Sequence, residues 1–476
     1  MTGAAPRSGR PAAGPGPVGL VVNPVAGLGG RVGLEGSDGR DTQRRALALG
    51  AVPHAGDRAT TALRELAARA DVREVLTAAG PMGEHAVRAA GLRPRVVYGP
   101  GGIGSGRIGS GGGGAEGAGR ERTGLAEAGP GESAPGTSGP EEAALREAAL
   151  REAVLGEAGP AGFGAGATGA YDTIRAVRAL AARGAGLILF AGGDGTARDV
   201  LTAMGGGPDP GTSVLGIPTG VKMHSAVFAV NARAAGEVAS AWLHGRDTVG
   251  VRDAAVMDRD EERLRAGHLT SRLYGWLPVP HVPVRIQQRK AGSTATAPDA
   301  VGGIAAELAV RPAPGELLAL GPGSTTRAVA AALGVEIPLT GVSLLRHEPA
   351  AGHRPAAPDP AHPPAPAPPS YRLLATHLSA DRLLAHLSRR PAHIALSPIG
   401  GQGFLLGRGN QQISPEALRA AGTHRLHVLC TEAKLAALHG RPLLVDTGDD
   451  GLDAELSGYR KVITGHGRTA LYRIAH

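Results

Sequence analysis

The stretch LILFAGGDGT, residues 187–196, decides how this chain folds. Its first four residues, 187–190, form a continuous apolar run that is typical of a strand covered on both faces. The glycines that follow allow the backbone to turn and to approach a ligand closely. Apolar side chains at Val200, Leu201 and Met204 then recur at helical spacing. The stretch therefore predicts a buried strand, a glycine-lined turn and a helix.

The same alternation extends to both sides of this stretch. A short apolar strand at 18–22 runs into a turn that begins with Asn23 and Pro24, and another strand at 214–217 is closed by Pro218, Thr219 and Gly220. Helical spacing is found at 60–70, 172–180 and 232–244. Strands that alternate with helices indicate a parallel sheet. We therefore predict an α/β class protein whose N-terminal doubly wound domain spans residues 18–245.

The second half of the chain has a more mixed pattern. Residues 251–257 and 282–288 read as strands, and the apolar run 317–320 leads into a second glycine-rich loop. The tail, from residue 371 onward, alternates helices with short strands. This change of pattern predicts that residues 246–476 form a second domain.

Three segments differ from the rest in composition. Residues 1–17 and 99–167 are dominated by small residues, and 349–369 are rich in Pro, Ala and His. Such compositions bury too little apolar surface to offset the entropy of an ordered chain. We expect a disordered N-terminus and two insertions, one within each domain.

Composition excludes several classes of function. The formal charge is +8, but the positive residues are almost all arginines spread along the chain, without the basic and aromatic clusters that stack nucleic-acid bases. Cys430 is the only cysteine, so no intramolecular disulfide or cysteine-based zinc site is expected. No apolar run has the length of a signal peptide or a membrane span. We expect a cytoplasmic protein without nucleic-acid or membrane partners.

Asp194 is the most informative polar residue. Glycines and the free amides at a helix start favour a bound phosphate, and a carboxylate beside phosphates would be repelled unless a cation or a transferable proton intervenes. Phosphoryl transfer supplies both. The alternative is a strand–turn–helix junction in which the aspartate only caps the helix. The G-x-G-x-x-G pattern at 104–109 lies in the glycine-rich insertion and is not followed by a helix, so we do not assign it a function.

Longer motifs resemble the ATP-NAD kinase family, in particular the branch that includes acetoin-catabolism X proteins. They are AGGDGTARD at 191–199, GIPTGVKMHSAVF at 216–228, LGPGSTTR at 320–327 and PIGGQGFLLGRGNQQIS at 398–414. The opening segment at 19–39 fits the same group. The resemblance implies a kinase with an N-terminal α/β domain and, at 246–476, a β-rich C-terminal domain with an α/β tail. Its site would lie between the two domains.

The resemblance also implies roles for individual residues. Asp194 would be the catalytic carboxylate, acting on the ribose 2′-hydroxyl of NAD or aligning Mg²⁺ together with the phosphates. The nucleotide and phosphate ligands would be Asn23, Gly192, Gly193, Gly195, Thr196, Thr219, Gly220, Gly323, Ser324, Thr325 and Thr326. Lys222 is not part of the usual family pattern; as a lone lysine after a strand-end turn it could contact a phosphate, and the alternative is a solvated loop lysine. Asp199, Asp258 and Arg408 are possible supporting residues. Asp258 would act as a strand-end acid that faces the cleft. Asp199 could instead cap a turn, and Arg408 could instead belong to a hairpin loop.

Three functions remain open from the sequence. The first is a kinase that transfers a phosphoryl group from ATP, or from polyphosphate, to NAD and forms NADP. The second is a kinase of the same superfamily with another small-molecule hydroxyl as acceptor, because the 216–228 stretch departs from the usual NAD kinase pattern. The third is a nucleotide-binding protein without turnover. We also expect a homo-oligomer.

Overall fold

The structure is a computed structural model that describes residues 16–34, 40–99, 168–205, 211–221, 223–245, 249–259, 271–282, 286, 298–348 and 369–476. Apart from their edge residues, the three segments of unusual composition lie outside this part of the chain. The expectations of disorder and insertion there stay predictions.

Five parallel strands form the first sheet, in the order β3-β2-β1-β4-β5. The strands are β1 (Val18–Val22), β2 (Glu74–Ala78), β3 (Arg93–Tyr98), β4 (Leu187–Gly192) and β5 (Ser213–Pro218). Every residue of β1, β4 and β5 is buried, because helices cover the apolar strands. The predicted α/β class and the parallel N-terminal sheet are confirmed.

The helices of this half follow the predicted alternation. They are α1 (Arg40–Ala48), α2 (Ala55–Arg69), α3 (Glu84–Ala89), α4 (Ala170–Ala182), α5 (Asp194–Ala203) and α6 (Ala232–Leu243). Helix α2 starts earlier than the predicted 60–70 and buries Ala59, Leu63 and Leu66, which share one helical face. Helix α6 begins where the Asn231 side chain accepts a hydrogen bond from the Ala234 amide.

A two-stranded antiparallel ribbon follows the first sheet. It consists of β6 (Gly250–Arg259) and β7 (Ser271–His281), and it packs against β5 and α5. Of the predicted strand at 282–288, the structure describes only Val282 and Ile286, and Ile286 makes an isolated bridge to Ala229. The other residues lie outside the described ranges, so this strand stays a prediction. No strand was predicted at 271–281, and β7 contains Pro278 and Pro280. A two-stranded ribbon accommodates them because each strand has one edge without a ladder partner.

Eight strands form the second sheet, in the order β10-β9-β8-β11-β12-β14-β15-β13. They are β8 (Leu317–Leu320), β9 (Ser343–Glu348), β10 (Ser370–Ala375), β11 (Ala392–Leu396), β12 (Leu426–Leu429), β13 (Leu443–Leu444), β14 (Gly458–Gly465) and β15 (Arg468–Ala475). The central strands β8, β11, β12 and β14 are parallel, whereas β9, β10 and the β14–β15 pair are antiparallel. This is the predicted strand-rich second half.

Helices of the second half pack on this sheet. They are α7 (Pro298–Ala309), α8 (Ser324–Ala332), α9 (Ala380–Leu387), α10 (Pro415–Ala421), α11 (Glu432–Ala436) and α12 (Asp450–Leu456). Helices α9, α10, α11 and α12 each begin at a serine, threonine or aspartate whose side chain accepts an amide hydrogen bond.

The two halves share apolar packing. Phe404 and Leu444, from the second half, belong to the core cluster that underlies the first sheet. Residues of the turn that follows Phe404 also bond to the loop after β5, as described below. The loops between the two sheets are therefore held in fixed positions by contacts from both sides.

Candidate functional site

Three loops meet at the carboxyl end of the first sheet. The Asn23 amide donates to Ala191 O at 2.9 Å, and the Thr219 amide donates to Gly192 O at 3.0 Å. The loops after β1, β4 and β5 are therefore joined by backbone hydrogen bonds. In the order β3-β2-β1-β4-β5, the direction of winding reverses between β1 and β4, and doubly wound sheets bind ligands at this reversal.

Glycines permit the close approach of these loops. Gly27 has φ +78°, and a Cβ built on it would lie 1.9 Å from Thr219 O. A Cβ on Gly220 would lie 2.8 Å from the Gly193 Cα. Any side chain at either position would push the loops apart, so the glycines set the width of this edge of the sheet.

Asp194 is the first residue of α5 and does not cap its own helix. Its Oδ2 accepts the His224 amide at 2.7 Å, and its Oδ1 accepts the Ser225 amide at 3.0 Å. The residue is only 5% exposed. An ionised carboxylate has about four lone-pair positions, so two remain for a cation or a hydroxyl. The side chain of Asp194 therefore links α5 to the 223–225 loop, and it does not act as a simple helix cap, which was the structural alternative in the sequence analysis.

The 223–225 loop is anchored on its far side by the ribbon. Ser225 Oγ donates to Met257 O at 2.8 Å and accepts the Met257 amide at 2.9 Å. His224 Nδ1 lies 3.3 Å from Asp194 Oδ2 without forming a hydrogen bond to it, and the imidazole is buried. The loop amides thus reach Asp194 from a position fixed by β6.

Asn23 and Thr196 connect the first two loops through their side chains. Asn23 Nδ2 donates to Thr196 Oγ1 at 3.0 Å, while Asn23 Oδ1 accepts the Val25 amide at 3.2 Å. A Cβ on Gly192 would lie 2.3 Å from the Thr196 Cβ. The structure therefore brings together Asn23, Gly192, Gly193, Asp194, Gly195, Thr196, Thr219 and Gly220.

Two of the supporting acids lie beside this group. Asp258 Oδ2 is 2.9 Å from Arg198 Nη1, and Arg198 in turn lies over the Tyr274 ring, 4.4 Å from its centroid. Asp258 follows Met257, the residue that holds Ser225. Asp199 is on α5, one residue beyond Arg198. A role for either acid in the reaction stays a prediction.

Arg408 is engaged by the protein itself. Its Nη1 lies 2.7 Å from Asp446 Oδ2, its Nη2 donates to Val230 O at 2.9 Å, and the guanidinium stacks on Phe404. Arg58 from α2 reaches the same Asp446 oxygen at 2.6 Å. Burial alone would raise the pKa of Asp446, but the two guanidinium groups hold this pKa below its ordinary value. These contacts favour the structural alternative for Arg408.

The second glycine loop belongs to the other sheet. Gly323 to Thr326 follow β8 and begin α8, whereas Asp194 follows β4. Lys434 Nζ donates to Thr325 Oγ1 at 3.3 Å and to Ser397 Oγ at 2.8 Å, which places a cation beside the loop. The Gly323 amide donates to Leu339 O at 2.9 Å. Lys222 lies outside the described residues, so its predicted phosphate contact stays a prediction.

The turn at 407–412 brings the second half to the Asp194 loops. The Gly409 amide and Gln411 Nε2 both donate to Val221 O, at 2.8 and 3.0 Å, and Gln402 Nε2 donates to Met223 O at 3.0 Å. None of these glutamines was predicted as a site residue. The signal available in the sequence was the polar GRGNQQ segment between apolar runs, but its partner loop is about 190 residues away in the sequence.

The fold and site together define a doubly wound α/β protein that is joined to a second, strand-rich half, with a glycine–aspartate turn at its switch point. The chain belongs to the ATP-NAD kinase family. The family's N-terminal domain matches residues 18–247, and its C-terminal domain matches residues 345–474. No curated protein and no solved structure matches the chain. Over the described ranges, no helix combines the length and apolarity needed to cross a membrane.

Proposed function

We propose that the protein transfers a phosphoryl group to the ribose 2′-hydroxyl of NAD and forms NADP, with ATP or polyphosphate as the donor. The observation that carries this proposal is the Asp194 carboxylate, which two loop amides hold at the start of α5, at the switch point of the sheet. Membership of the ATP-NAD kinase family supports the reaction class.

Different residues of the site bind the phosphates and accept the proton. The backbone at Gly193 and Gly195 and the amides at the start of α5 bind phosphate oxygens. The carboxylate of Asp194 accepts the proton of the 2′-hydroxyl as its oxygen attacks the terminal phosphorus. The new O–P bond forms while the bond from that phosphorus to the leaving phosphate oxygen breaks, so ADP leaves when ATP is the donor. Positioning and charge neutralisation supply most of the rate.

A magnesium ion suits the oxygen donors of this site. Among the described residues, no three His, Cys, Asp or Glu side chains are grouped to hold a metal. Mg²⁺ is usually bound through one or two carboxylates together with substrate phosphates, and the remaining lone pairs of Asp194 meet that requirement. When bound, the ion neutralises charge on the transferred phosphoryl group.

The first prediction concerns Asp194→Asn. We expect turnover to fall roughly 10²- to 10⁴-fold, the range for loss of a general base, while ATP binding is retained. The assay incubates purified protein with Mg²⁺, ATP and NAD and measures NADP through a coupled dehydrogenase. Asp41→Asn, on the exposed side of α1, is the matched control and should keep full activity.

Loss of folding is a separate outcome to control. Asparagine keeps only one carboxamide oxygen for the two amides, so the melting temperature of Asp194→Asn must be recorded with the rate. Asp194→Glu retains two oxygens but moves them, and it should fold with a strongly reduced rate. Near-wild-type turnover in either folded variant would make Asp194 a structural residue and the mechanism wrong. If the wild-type protein forms no NADP, a screen of hydroxyl metabolites for ATP consumption separates another acceptor from a binding protein.

A further inference from the structure

An arginine of α5 connects that helix to the two-stranded ribbon. Arg198 follows Asp194 by four residues, so the two side chains leave the helix on the same side, one turn apart. Arg198 Nη1 donates to Asp258 Oδ2 of β6 at 2.9 Å, and the two side chains are only 23% and 20% exposed. This ion pair ties the helix that begins with Asp194 to the first strand of the ribbon.

The second strand of the ribbon contacts the same guanidinium. The pairing of β6 with β7 shifts by one residue between Val256 and Met257, which leaves Tyr274 as the additional residue of a β-bulge. The Arg198 guanidinium lies over the ring of this tyrosine, 4.4 Å from its centroid. A Cβ built on the next residue, Gly275, would lie 2.9 Å from a side chain of α5, so the ribbon and the helix are in close contact at the bulge.

The first strand of the ribbon also holds the loop that bonds Asp194. Ser225 Oγ donates to the carbonyl of Met257 and accepts its amide, as described above. One residue further, the Ala226 amide donates to Ala255 O at 2.9 Å. These three hydrogen bonds fix the loop on β6, directly beside the acid that pairs with the arginine of α5.

The contacts form a closed path that starts and ends on α5. Arg198 connects the helix to β6 through Asp258. The strand holds Ser225, and the amide of Ser225 donates to the Asp194 carboxylate at 3.0 Å. A change in the distance between the helix and the ribbon would therefore move the loop amides relative to the carboxylate. A misplacement of about 1 Å in an active site can lower the rate roughly 100-fold.

We propose that Arg198 is a positioning residue for phosphoryl transfer, which acts through Asp258 to keep two loop amides aligned on Asp194. In this role the arginine affects the chemical step and not the binding of substrates. The inference rests on the proposed function for its kinetic readouts, whereas the position of the loop is measured without turnover. Arginine suits this role because its planar guanidinium can bond a carboxylate and stack on an aromatic ring at the same time.

The kinetic test removes the guanidinium. Arg198→Met should lower kcat roughly 10- to 100-fold and leave the KM values for NAD and ATP within about twofold, because the aligned carboxylate acts in the transition state. Arg198→Lys keeps the charge and should recover most of the lost kcat. A large rise in either KM with kcat retained would show that the arginine binds a substrate, and the proposal would be wrong.

A double-mutant cycle tests whether Arg198 acts through Asp258. If both belong to one path, Asp258→Asn should lower kcat in the wild type and have little further effect in Arg198→Met. Losses that multiply in the double variant would mean that the two residues act independently, which contradicts the proposal. If Arg198→Met does not fold, Arg198→Gln takes its place in the cycle, with the same two outcomes.

Amide hydrogen exchange, followed by mass spectrometry, reports on the loop itself. In Arg198→Met, the amides of residues 224–226 should exchange about tenfold faster than in the wild type, because the strand that holds them is less firmly tied to α5. Arg178→Met is the matched control, since Arg178 Nε donates to Ala203 O at 3.3 Å, at the other end of α5. It should leave both kcat and this exchange unchanged. Equal effects of the two variants would reveal a general loosening of the helix and overturn the proposal.

The two proposals fail in different ways. If the wild-type protein forms no NADP but Arg198→Met accelerates exchange at 224–226, the kinase proposal fails and the link between the arginine and the loop stands. If NADP is formed and folded Arg198→Met keeps the wild-type kcat, the kinase proposal stands and the positioning role fails. A lower kcat with unchanged exchange at 224–226 would also exclude this role, because the arginine would then act without the loop.

Discussion

Single residues join the two halves of this protein, and Arg408 is the best example. The guanidinium groups of Arg408 and Arg58 both contact the Asp446 carboxylate. Because Arg58 lies on α2 and Asp446 lies in the second half, this ion pair connects the two halves. The side chains of Arg408 and Asp446 are 3% and 4% exposed. At this burial, loss of Arg408 would leave the Asp446 carboxylate with Arg58 as its remaining guanidinium partner.

Arg408→Met tests whether this arginine is structural. We expect the free energy of unfolding in urea to fall by about 1.5–3 kcal/mol, because Asp446 loses one of two charge-assisted hydrogen-bond partners. The nucleotide affinity of the folded variant should be unchanged. The control is Arg419→Met, which removes an exposed ion pair with Asp449 and should cost less than about 1 kcal/mol. A large loss of ATP affinity without loss of stability would instead make Arg408 a phosphate ligand.

Helices and strands were predicted best where the pattern that identifies them lies within their own sequence. The apolar runs of β1, β4 and β5 identified the sheet, and the glycine–aspartate turn located the switch point. Strand β7 was missed because its prolines are tolerated only in a ribbon, which is a tertiary property. Gln411 was missed for the same reason, since its contact with Val221 depends on a loop from the other half.

Two neighbouring strands of the second sheet also carry a buried histidine pair. His393 on β11 and His427 on β12 are joined by a hydrogen bond of 2.7 Å between their ring nitrogens, and Glu316 lies 3.2 Å from the other nitrogen of His393. Burial lowers the pKa of His427 to about 3, with further lowering by His393 and Arg311. The pKa of His393 is also lowered, mainly by burial.

The lowered pKa values of these two histidines predict that the free energy of unfolding decreases in acid. A histidine whose pKa is lower in the folded state binds protons more weakly there than when unfolded, so stability is lost as pH falls below the unfolded value near 6.5. From pH 7 to 5, we expect His427 to contribute a loss of roughly 2 kcal/mol in unfolding free energy. In urea titrations at both pH values, His427→Gln should reduce the loss, and the exposed His386→Gln should not. Equal pH dependence in His427→Gln and wild type would show that the pair does not titrate on unfolding.

At the scale of the whole molecule, the longest stretch between described ranges is residues 100–167, which connect β3 to α4 and whose composition predicts an insertion. The structure holds the two flanking elements together, since Tyr98 Oη donates to Asp172 Oδ1 at 2.6 Å. The connection therefore starts and ends at neighbouring points, and its length is not needed to span a distance. The family N-terminal domain, matched over 18–247, continues on both sides of it.

Deletion of residues 100–139 tests whether the first sheet needs this sequence. The segment is composed mainly of Gly, Ser, Ala and Glu, so its removal takes away little apolar surface. Loop-closure entropy changes slowly with length, and the remaining residues up to 167 are ample to join Tyr98 to α4. We expect the melting temperature, followed by circular dichroism, and the rate of NADP formation to stay close to those of the full chain.

Replacement of the same residues by an equally long Gly/Ser sequence is the control for length alone. If the deletion prevents folding while the replacement does not, the length of the connection matters after all. If both abolish folding, residues 100–139 contribute specific contacts, and their interpretation as an insertion is wrong.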